Sequence, residues 1–460
     1  MLSSLQISHF KAWKDTRRVR LAPLTVIFGA NSAGKSSLGH LLLALKQTAV
    51  SSDRRRALHL GDTNAQIDLG TFKDCLHHHD TSKPLSFKIE WQLPKQLDVR
   101  DPLNRSKSWT GDHLGIDVSL LANEKTAQPQ AVGLKYQLKS GTGENLNTSF
   151  SRDEKGTYSL KSDEYQFVRS VGRKWPLEEP DKFYRVSDAS RARFQNADFL
   201  SDFALETESM LERLYYLGPL REPPRRTYQW SGDTPGDVGS KGEYSIAAIL
   251  AAKAQGRKLN RGPRKRQHEF DAFVAEWLRD LGIIDSFTVR AVAEGRKEFE
   301  VLVRTKSDAT EVKITDVGFG VSQVLPALVE AFYCPRNSTV WMEQPEIHLH
   351  PQVQAELADA FISAIRANEN GEPRNVQLIV ESHSEHFLNR LQRRIAEGEI
   401  LPDEVAIYFC SNKSGAAELE ELHVNLFGDI ENWPENFFGN EMADLTARTV
   451  AASKRQSSIG

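Results

Sequence analysis

The segment from Gly29 to Ser36 places glycines, a lysine and a serine at the spacing G-x-x-x-x-G-K-S, which is a phosphate-binding pattern. Its glycines let backbone N–H groups curl around phosphates, and a following helix adds the positive end of its dipole. We expect Lys35 to reach the β- and γ-phosphates of ATP and Ser36 to hold Mg²⁺. The residues predicted to bind nucleotide here are Gly29, Asn31, Ser32, Ala33, Gly34, Lys35, Ser36 and Ser37.

A phosphate loop of this kind also needs an acidic residue at a strand end to hold the metal and its water shell. The apolar run 340–342 ends in Glu343, which is followed by Gln344. A second run, 376–380, leads into Glu381-Ser-His383 and places His383 at a strand tip, where it could sense the γ-phosphate. We predict Glu343 as a magnesium ligand, and Glu343, Gln344 and His383 as the catalytic group. An ordinary strand end and a turn histidine are the alternatives.

A second anion-binding segment precedes the acidic strand. In Thr315-Asp-Val-Gly-Phe-Gly-Val-Ser-Gln323 a pair of glycines is followed by a serine that opens a helix. One nucleotide cannot use both segments of the same chain if they lie far apart on its surface. We therefore predict a head-to-tail dimer in which Gly320 and Ser322 close on the partner's γ-phosphate. A simple strand-to-helix turn is the alternative.

The elements that must position these residues follow from hydrophobic patterning. Nearly continuous apolar runs predict strands buried on both faces of a parallel sheet at 24–28, 338–342 and 376–380. The phosphate loop is followed by a helical pattern, and a further helix is predicted over 384–396. Residues 2–10 indicate an edge strand, and strands are also expected at 287–292 and 299–303. A helix is expected to begin near Ser322.

These patterns predict an α/β fold with four regions. Residues 1–180 form an N-terminal ATPase lobe with the phosphate loop and an antiparallel, β-rich part. Residues 181–285 form a mostly helical inserted subdomain. Residues 286–425 form the C-terminal lobe with the glycine-serine loop, acidic strand and histidine, and 426–460 form an aromatic tail.

Bulk composition is that of a globular chain. The 460 residues are 39% hydrophobic and 26% charged, with a formal net charge of −3, so a nucleic-acid-coating surface is not expected. Three widely spaced cysteines favour a reducing compartment without disulfides. Neither a signal peptide nor a membrane-spanning stretch is indicated, so we expect a cytoplasmic protein that uses no membrane.

Two local features leave alternatives open. A basic cluster could contact DNA phosphates, although a solvated loop is the more usual explanation; its members are Arg257, Lys258, Arg261, Arg264, Lys265 and Arg266. The tail aromatics Trp433, Phe437 and Phe438 could be core anchors or a partner-docking face.

Taken in order, the phosphate loop, glycine-serine loop, acidic strand and histidine resemble the ABC/SMC/RecF group of ATPases. The segments G-F-G-V-S-Q-V-L-P, E-Q-P-E-I-H-L-H-P and E-S-H-S-E-H-F-L-N-R-L look like a bacterial branch of standalone ATPases, often paired with a nuclease. Within it, the ATPase subunits of Septu anti-phage systems are the most similar. The resemblance implies an ABC/SMC-type head whose two lobes come from both chain ends. The glutamine of the usual Q-loop is not evident, and Gln66 is only a weak candidate.

Gln344 departs from the ABC pattern, in which a general-base glutamate directly follows the Walker B acid. A glutamine amide can orient water but cannot accept its proton, and losing a base costs roughly 10²–10⁴-fold in rate. Glu346 could rescue some activity from beyond Pro345. We therefore expect an ATP-binding protein with slow or absent turnover.

The resemblance implies an ATP-binding subunit of a bacterial anti-phage complex. It would form homo-oligomers and hold and gate a separate nuclease, with an HNH nuclease expected, and would meet DNA through that complex. This chain shows no nuclease motif of its own. The main alternative is a RecF-type DNA-repair ATPase that clamps DNA without a nuclease; a transporter ATPase is a weaker one.

Overall fold

The computed structural model describes residues 1–460 apart from 64, 105–106, 142–144, 263–264, 414, 435–445, 453–454 and 456–460. The N-terminal part contains β1 (Leu2–Phe10), β2 (Trp13–Asp15), β3 (Val19–Arg20), β4 (Leu24–Gly29), α1 (Lys35–Val50), α2 (Phe72–Cys75), β5 (Leu85–Arg100), β6 (Ser108–Ala122), β7 (Pro129–Lys139), β8 (Leu146–Arg152) and β9 (Tyr158–Lys161). The middle part contains α3 (Asp188–Arg191), α4 (Phe199–Glu212), β10 (Leu214–Leu217), β11 (Tyr228–Gln229), α5 (Ser245–Ala254), β12 (Lys258–Leu259), β13 (His268–Glu269) and α6 (Phe270–Asp280). The C-terminal part contains β14 (Ser286–Ala291), β15 (Glu298–Arg304), β16 (Val312–Lys313), α7 (Phe319–Tyr333), β17 (Thr339–Glu343), α8 (Pro351–Arg366), β18 (Asn368–Glu369), β19 (Glu372–Pro373), β20 (Gln377–Glu381), α9 (Glu385–Ala396), β21 (Val405–Lys413) and β22 (Ala416–Leu422).

The site is built on a six-stranded sheet with the order β10-β17-β20-β4-β21-β22. All neighbouring strands in it are parallel except β22, which runs antiparallel to β21. Strands β4, β17 and β20 are buried along their whole length. A strand in a parallel sheet that is covered on both sides buries the side chains of both its faces, so its sequence is almost entirely apolar. These three strands were predictable for this reason.

Two hydrophobic cores cover the two faces of this sheet, because successive side chains of a strand point to opposite sides. Val340 and Met342 pack in the core that includes residues of α5 to α9, whereas Trp341 lies in the core with α1 and the β-rich part. Helix α1 approaches the sheet closely at Gly39, where an added Cβ would lie 2.5 Å from Cε2 of Trp341. The absence of a side chain at Gly39 thus sets the distance between the phosphate-loop helix and the acidic strand.

The β-rich part is an eight-stranded antiparallel sheet that includes the N-terminal strands. The prediction that residues 2–10 form an edge strand is wrong. Strand β1 pairs with β5 on one side and with β2 and β3 on the other. Apolar and polar residues alternate only loosely in β1 because both faces of the strand are partly covered, with Leu2, Leu5 and Ile7 buried. This loose alternation suggested an edge strand.

The α/β fold class and the head architecture expected from the sequence are confirmed, since the six-stranded sheet takes β4 from the N-terminal end and most other strands from the C-terminal end. Two details differ. The mostly helical middle region also supplies β10, an edge strand of the central sheet. Helix α7 begins at Phe319, three residues before the expected start at Ser322. In the part of the chain that is described, no helix is both long and apolar enough to cross a membrane.

Candidate functional site

The phosphate loop joins β4 to α1 through two glycines in conformations that other residues rarely adopt. Gly29 has φ 143° and Gly34 has φ 102°. A Cβ on Gly29 would lie 2.1 Å from the carbonyl oxygen of Cys410 on the neighbouring strand β21. Only glycine fits such a backbone and such an approach, so the sheet itself fixes where the loop begins.

Lys35 lies folded over this loop at the start of α1. Its Nζ donates hydrogen bonds to the carbonyl oxygens of Gly29 and Ala30, each at 2.8 Å. Burial lowers the pKa of Lys35, while the carboxylates of Glu381, Glu346 and Glu343 oppose this effect. The ammonium group of Lys35 therefore lies near several carboxylates and beside a loop that has glycine at both ends, Gly29 and Gly34.

Ser36 contacts a carboxylate to which the sequence had assigned no role. Its Oγ donates to Oε2 of Glu381 at 2.8 Å, and Nε1 of Trp341 donates to Oε1 of the same carboxylate at 2.9 Å. Burial, together with the charge of Glu343, raises the pKa of Glu381 to about 8. The only signal in the sequence was an acid ending an apolar run, because the role depends on strand register.

Glu343 is held by side chains from two other elements. Tyr216 on β10 donates from Oη to Oε1 of Glu343 at 2.8 Å, and Nε2 of His40 on α1 lies 3.6 Å from the same oxygen. Burial alone would raise the pKa of Glu343, but the nearby His40 imidazole and the hydrogen bond from Tyr216 outweigh it and lower that pKa. Arg221 donates to the carbonyl oxygen of Glu343 at 3.3 Å. The acid is therefore ionised and fixed in orientation.

The oxygens around Ser36 fit magnesium. One hydroxyl and the carboxylates of Glu343 and Glu381 lie at the end of the loop, and Mg²⁺ prefers such hard oxygen ligands while retaining water and phosphate ligands. Within the described ranges no group of three or more His, Cys, Asp or Glu residues could hold a metal by itself. The chain thus offers the partial ligand set typical of a magnesium–nucleotide complex rather than a closed metal cage.

The segment after Glu343 turns back toward the strand ends. Gln344 has φ 46°, and its backbone N–H donates to the carbonyl oxygen of Glu381 at 2.9 Å. Two residues later, Oε1 of Glu346 accepts hydrogen bonds from Ser382 Oγ at 2.9 Å and from the His383 backbone N–H at 2.7 Å. Burial raises the pKa of Glu346. The left-handed turn at Gln344 therefore brings Glu346 to the tip of β20.

His383 is half-buried beside the phosphate loop. Burial, followed by the charge of Lys35, lowers the pKa of His383 to about 4. The imidazole is therefore neutral at physiological pH and can act as a hydrogen-bond donor or acceptor.

The remaining loop residues divide into two groups. Asn31 and Ser32 are exposed, whereas Ala33 is buried and its carbonyl accepts from Cys410 Sγ at 3.0 Å. The structure does not bring the Ser37 side chain to the phosphate side of the loop. Its hydroxyl accepts a hydrogen bond from Trp13 Nε1 at 2.8 Å, and it is buried. Ser37 therefore contributes to packing beneath the loop.

The glycine-serine loop forms the N-terminus of α7, a helix of 15 residues. Gly318 is its N-cap and is exposed, and Gly320 is partly exposed in the first turn. Ser322 is only 7% exposed, and it lines a pocket together with Tyr228 of β11 and Ser245 of α5. The surface available to a partner is the backbone at Gly318 and Gly320.

Other predicted positions lie away from this centre. In the basic cluster, Arg257 pairs with Glu369 at 2.6 Å and Lys258 with Glu269 at 3.4 Å. Arg261 pairs with Asp280. These ion pairs reduce the positive charge available to nucleic acid. Arg264, Phe437 and Phe438 lie outside the described residues, while Trp433 is about half exposed and Gln66 is exposed.

Comparison with known proteins agrees with this geometry in part. A family model described as "AAA ATPase domain" matches residues 251–388, which include the glycine-serine loop, Glu343 and His383. A model described as a protein of unknown function (DUF3696) matches residues 400–447. No curated protein matches the chain. The chain is thus similar to ATPases in the region that carries the acidic strand.

Solved structures that match include heads of SMC proteins. An SMC head bound to the C-winged helix domain of ScpA is 12% identical, with a TM-score of 0.42, and the match covers 92% of this chain and 98% of that one. The SMC head from Thermotoga maritima is 11% identical, with a TM-score of 0.38, covering 92% and 99%. An SMC head bound to the C-terminal domain of ScpA from Pyrococcus furiosus is 11% identical, with a TM-score of 0.40, covering 92% and 96%.

Proposed function

We propose that this chain is an ABC-type, ATP-binding subunit that turns ATP over slowly and works as a head-to-tail dimer. The observation that carries the proposal is the meeting of Lys35, Ser36, Glu343 and Glu381 at the ends of three adjacent strands. A phosphate loop, a hydroxyl and two carboxylates in one place suit a magnesium-bound triphosphate and few other ligands.

In this proposal Lys35 exchanges its two carbonyl partners for phosphate oxygens, and the N–H groups of the loop bind the remaining phosphate charge. Ser36, which now donates to Glu381, and Glu343, which Tyr216 and His40 hold in place, are the residues that would hold the metal. Bound Mg²⁺ would neutralise phosphate charge and orient the triphosphate. The residue after Glu343 is Gln344, whose amide cannot accept a proton from water, and this supports slow turnover.

The second copy would complete the site through the N-terminus of α7. Gly318 and Gly320 present backbone N–H groups of that N-terminus at the surface, which favours an anion. The buried position of Ser322 implies that its hydroxyl reaches a partner's γ-phosphate only after a rotation of the first turn. Gly320 is therefore the primary trans contact in this proposal, and Ser322 is secondary.

We further propose that the dimer belongs to a bacterial anti-phage complex and gates a separate DNA nuclease of the HNH type. The support is the similarity of the three sequence segments around Gly320, Glu343 and His383 to the Septu-like branch. ATP would act as a structural ligand of the complex, stabilising the folded assembly by about 2.7 kcal/mol at a hundredfold excess over Kd.

The experiment is purification of the tagged chain after co-expression with its neighbouring genes, followed by ATP-binding and plasmid-cleavage assays. We expect an HNH protein to co-purify, the isolated chain to leave DNA intact, and ATP to change cleavage by the complex. Lys35→Ala should abolish ATP binding, whereas Lys14→Ala, an exposed control on β2, should not.

Two results would count against the proposal. Magnesium-dependent cleavage by the isolated chain that stops in Lys35→Ala would reveal a nuclease centre in this chain. ATP-dependent retention on DNA without any nuclease partner would instead favour the RecF-type clamp.

A further inference from the structure

Three side chains around the phosphate loop carry buried polar atoms that have no hydrogen-bond partner among the described residues. They are Nε and Nη1 of Arg221, Oε2 of Glu346 and Nε2 of His383. Arg221 is 9% exposed and Glu346 is 5% exposed. Buried polar atoms in proteins are nearly always hydrogen-bonded, so this concentration at one place indicates that these atoms receive a bound polar group.

The three side chains belong to one electrostatic neighbourhood. Arg221 also donates to the carbonyl of Glu343, and its charge acts on Glu346. The charge of Glu346 acts to raise the pKa of Lys35, and the charge of Lys35 acts to lower the pKa of His383. Nε and Nη1 of Arg221 and Oε2 of Glu346 have no hydrogen-bond partner within the described part of the chain, although both side chains are buried.

The unpaired atoms of Arg221 and Glu346 require different partners, because the first are hydrogen-bond donors and the second is an acceptor. The two guanidinium N–H groups of Arg221 need acceptors, and phosphate oxygens are acceptors that arginine binds well. The free carboxylate oxygen of Glu346 needs a donor. The γ-phosphate of ATP offers no proton, so the group that Glu346 receives is a donor other than the phosphate, and the attacking water is such a donor.

We infer that Glu346 is the general base of ATP hydrolysis, with Arg221 contacting the γ-phosphate. Water attacks the γ-phosphorus as its proton passes to Oε2 of Glu346, and the bond from phosphorus to the bridging oxygen breaks. ADP leaves with that electron pair, and Glu346 later returns the proton to solvent. This inference rests on the proposed function and adds to it the residue that accepts the proton during ATP hydrolysis.

The position of Glu346 suits a general base. One carboxylate oxygen is fixed by Ser382 and His383, so the other has a defined direction. Burial raises the pKa of Glu346, which increases its affinity for the water proton. The residue nevertheless lies three positions beyond Glu343, not beside it, and this distinguishes it from the base position occupied by Gln344.

The test compares Glu346→Gln with wild type under single-turnover conditions, with protein in excess over Mg-ATP. A glutamine keeps an oxygen that can accept from Ser382 and His383 but cannot take a proton. We expect phosphate release to fall about 10²–10⁴-fold, while the Kd for ATP and the thermal midpoint remain close to wild type. Glu372→Gln, an exposed acid on β19, serves as the matched control and should hydrolyse at the wild-type rate.

Three results would overturn the assignment. They are wild-type phosphate release from Glu346→Gln, loss of ATP binding in that variant, and complete absence of hydrolysis by a wild-type protein that binds ATP. In the last case the proposed ATP-binding function stands and only the base is wrong. A wild-type protein that does not bind ATP at all removes both.

Discussion

Glu343 and Glu381 end the neighbouring parallel strands β17 and β20 in direct register, yet their pKa values move in opposite directions. The nearby His40 imidazole and the hydrogen bond from Tyr216 lower the pKa of Glu343 against the effect of burial. Burial and the nearby Glu343 charge raise the pKa of Glu381 to about 8. A neighbouring carboxylate disfavours ionisation of its partner, and a cation between the two relieves this repulsion. We therefore propose that this pair receives magnesium together with Ser36.

Replacing Gln344 by glutamate tests whether the absence of a carboxylate at the usual base position limits turnover. The residue follows the acidic strand directly, and glutamate and glutamine have side chains of the same length and shape. We expect Gln344→Glu to raise steady-state phosphate release at least about tenfold, since a positioned base contributes roughly 10²–10⁴-fold. Gln344→Asn, with the same chemistry and a shorter side chain, is the control and should not accelerate the reaction.

Wild-type turnover on the order of 1–10 s⁻¹, an ordinary enzyme rate, would show that the residue at 344 does not limit catalysis. In that case the slow-switch part of the proposal is wrong. Identification of the nucleotide retained after purification provides a second measure, since slow turnover predicts ATP rather than ADP.

Substitutions at Gly318 separate the trans contact from folding. Gly318 is exposed, has φ −61°, and a Cβ there would meet no atom within 4 Å. Gly318→Ala should therefore fold and dimerise normally. Gly318→Asp should also fold, but its carboxylate would repel the partner's phosphates, and we expect ATP-induced dimerisation to weaken more than tenfold. Analytical ultracentrifugation at several protein concentrations measures this, and equal dimerisation of both variants would refute the trans contact.

Glu330 of α7 predicts a pH-dependent stability. It is completely buried and accepts a hydrogen bond from the Val238 backbone N–H at 3.0 Å. Burial raises its pKa from 4.5 to about 8. Between these values the folded chain retains a proton that the unfolded chain has lost, so the stabilisation falls as pH rises, by up to about 1.4 kcal/mol per pH unit.

Glu330→Gln keeps the acceptor and removes this titration. We expect its stability relative to wild type to increase from pH 6 to pH 8, as measured by urea unfolding at each pH. Glu372→Gln, which is exposed, should show a difference that does not change with pH. A constant difference for Glu330→Gln would mean that Glu330 is already ionised in the folded protein.

The parts of the site that the sequence predicted are those that depend on local patterns. The phosphate loop and its buried strand follow from glycine spacing and an apolar run, and in the structure Lys35 and Ser36 are the first two residues of α1. Glu381 was missed as a partner of Ser36 because their pairing depends on which strands are neighbours. The residues of β10 were missed because four residues at a sheet edge give too short a pattern to recognise.

Arg221 shows the same limit at longer range. It lies in an irregular loop after β10, and its burial against Glu343 arises from packing that no periodicity encodes. Ser322 was placed at a helix start because it follows a pair of glycines in the predicted anion-binding segment. The actual N-cap is Gly318, so the serine enters the first turn and faces its own chain.

The central claim is that one chain does not make a complete ATP site. Light scattering coupled to size-exclusion chromatography at micromolar protein, with and without Mg-ATP, tests it most directly, using Glu346→Gln to limit hydrolysis. We predict a dimer, or a dimer of dimers, whose population rises with Mg-ATP, and no such rise in Lys35→Ala. A mass of 51.8 kDa, that of a single chain, under both conditions would contradict the account.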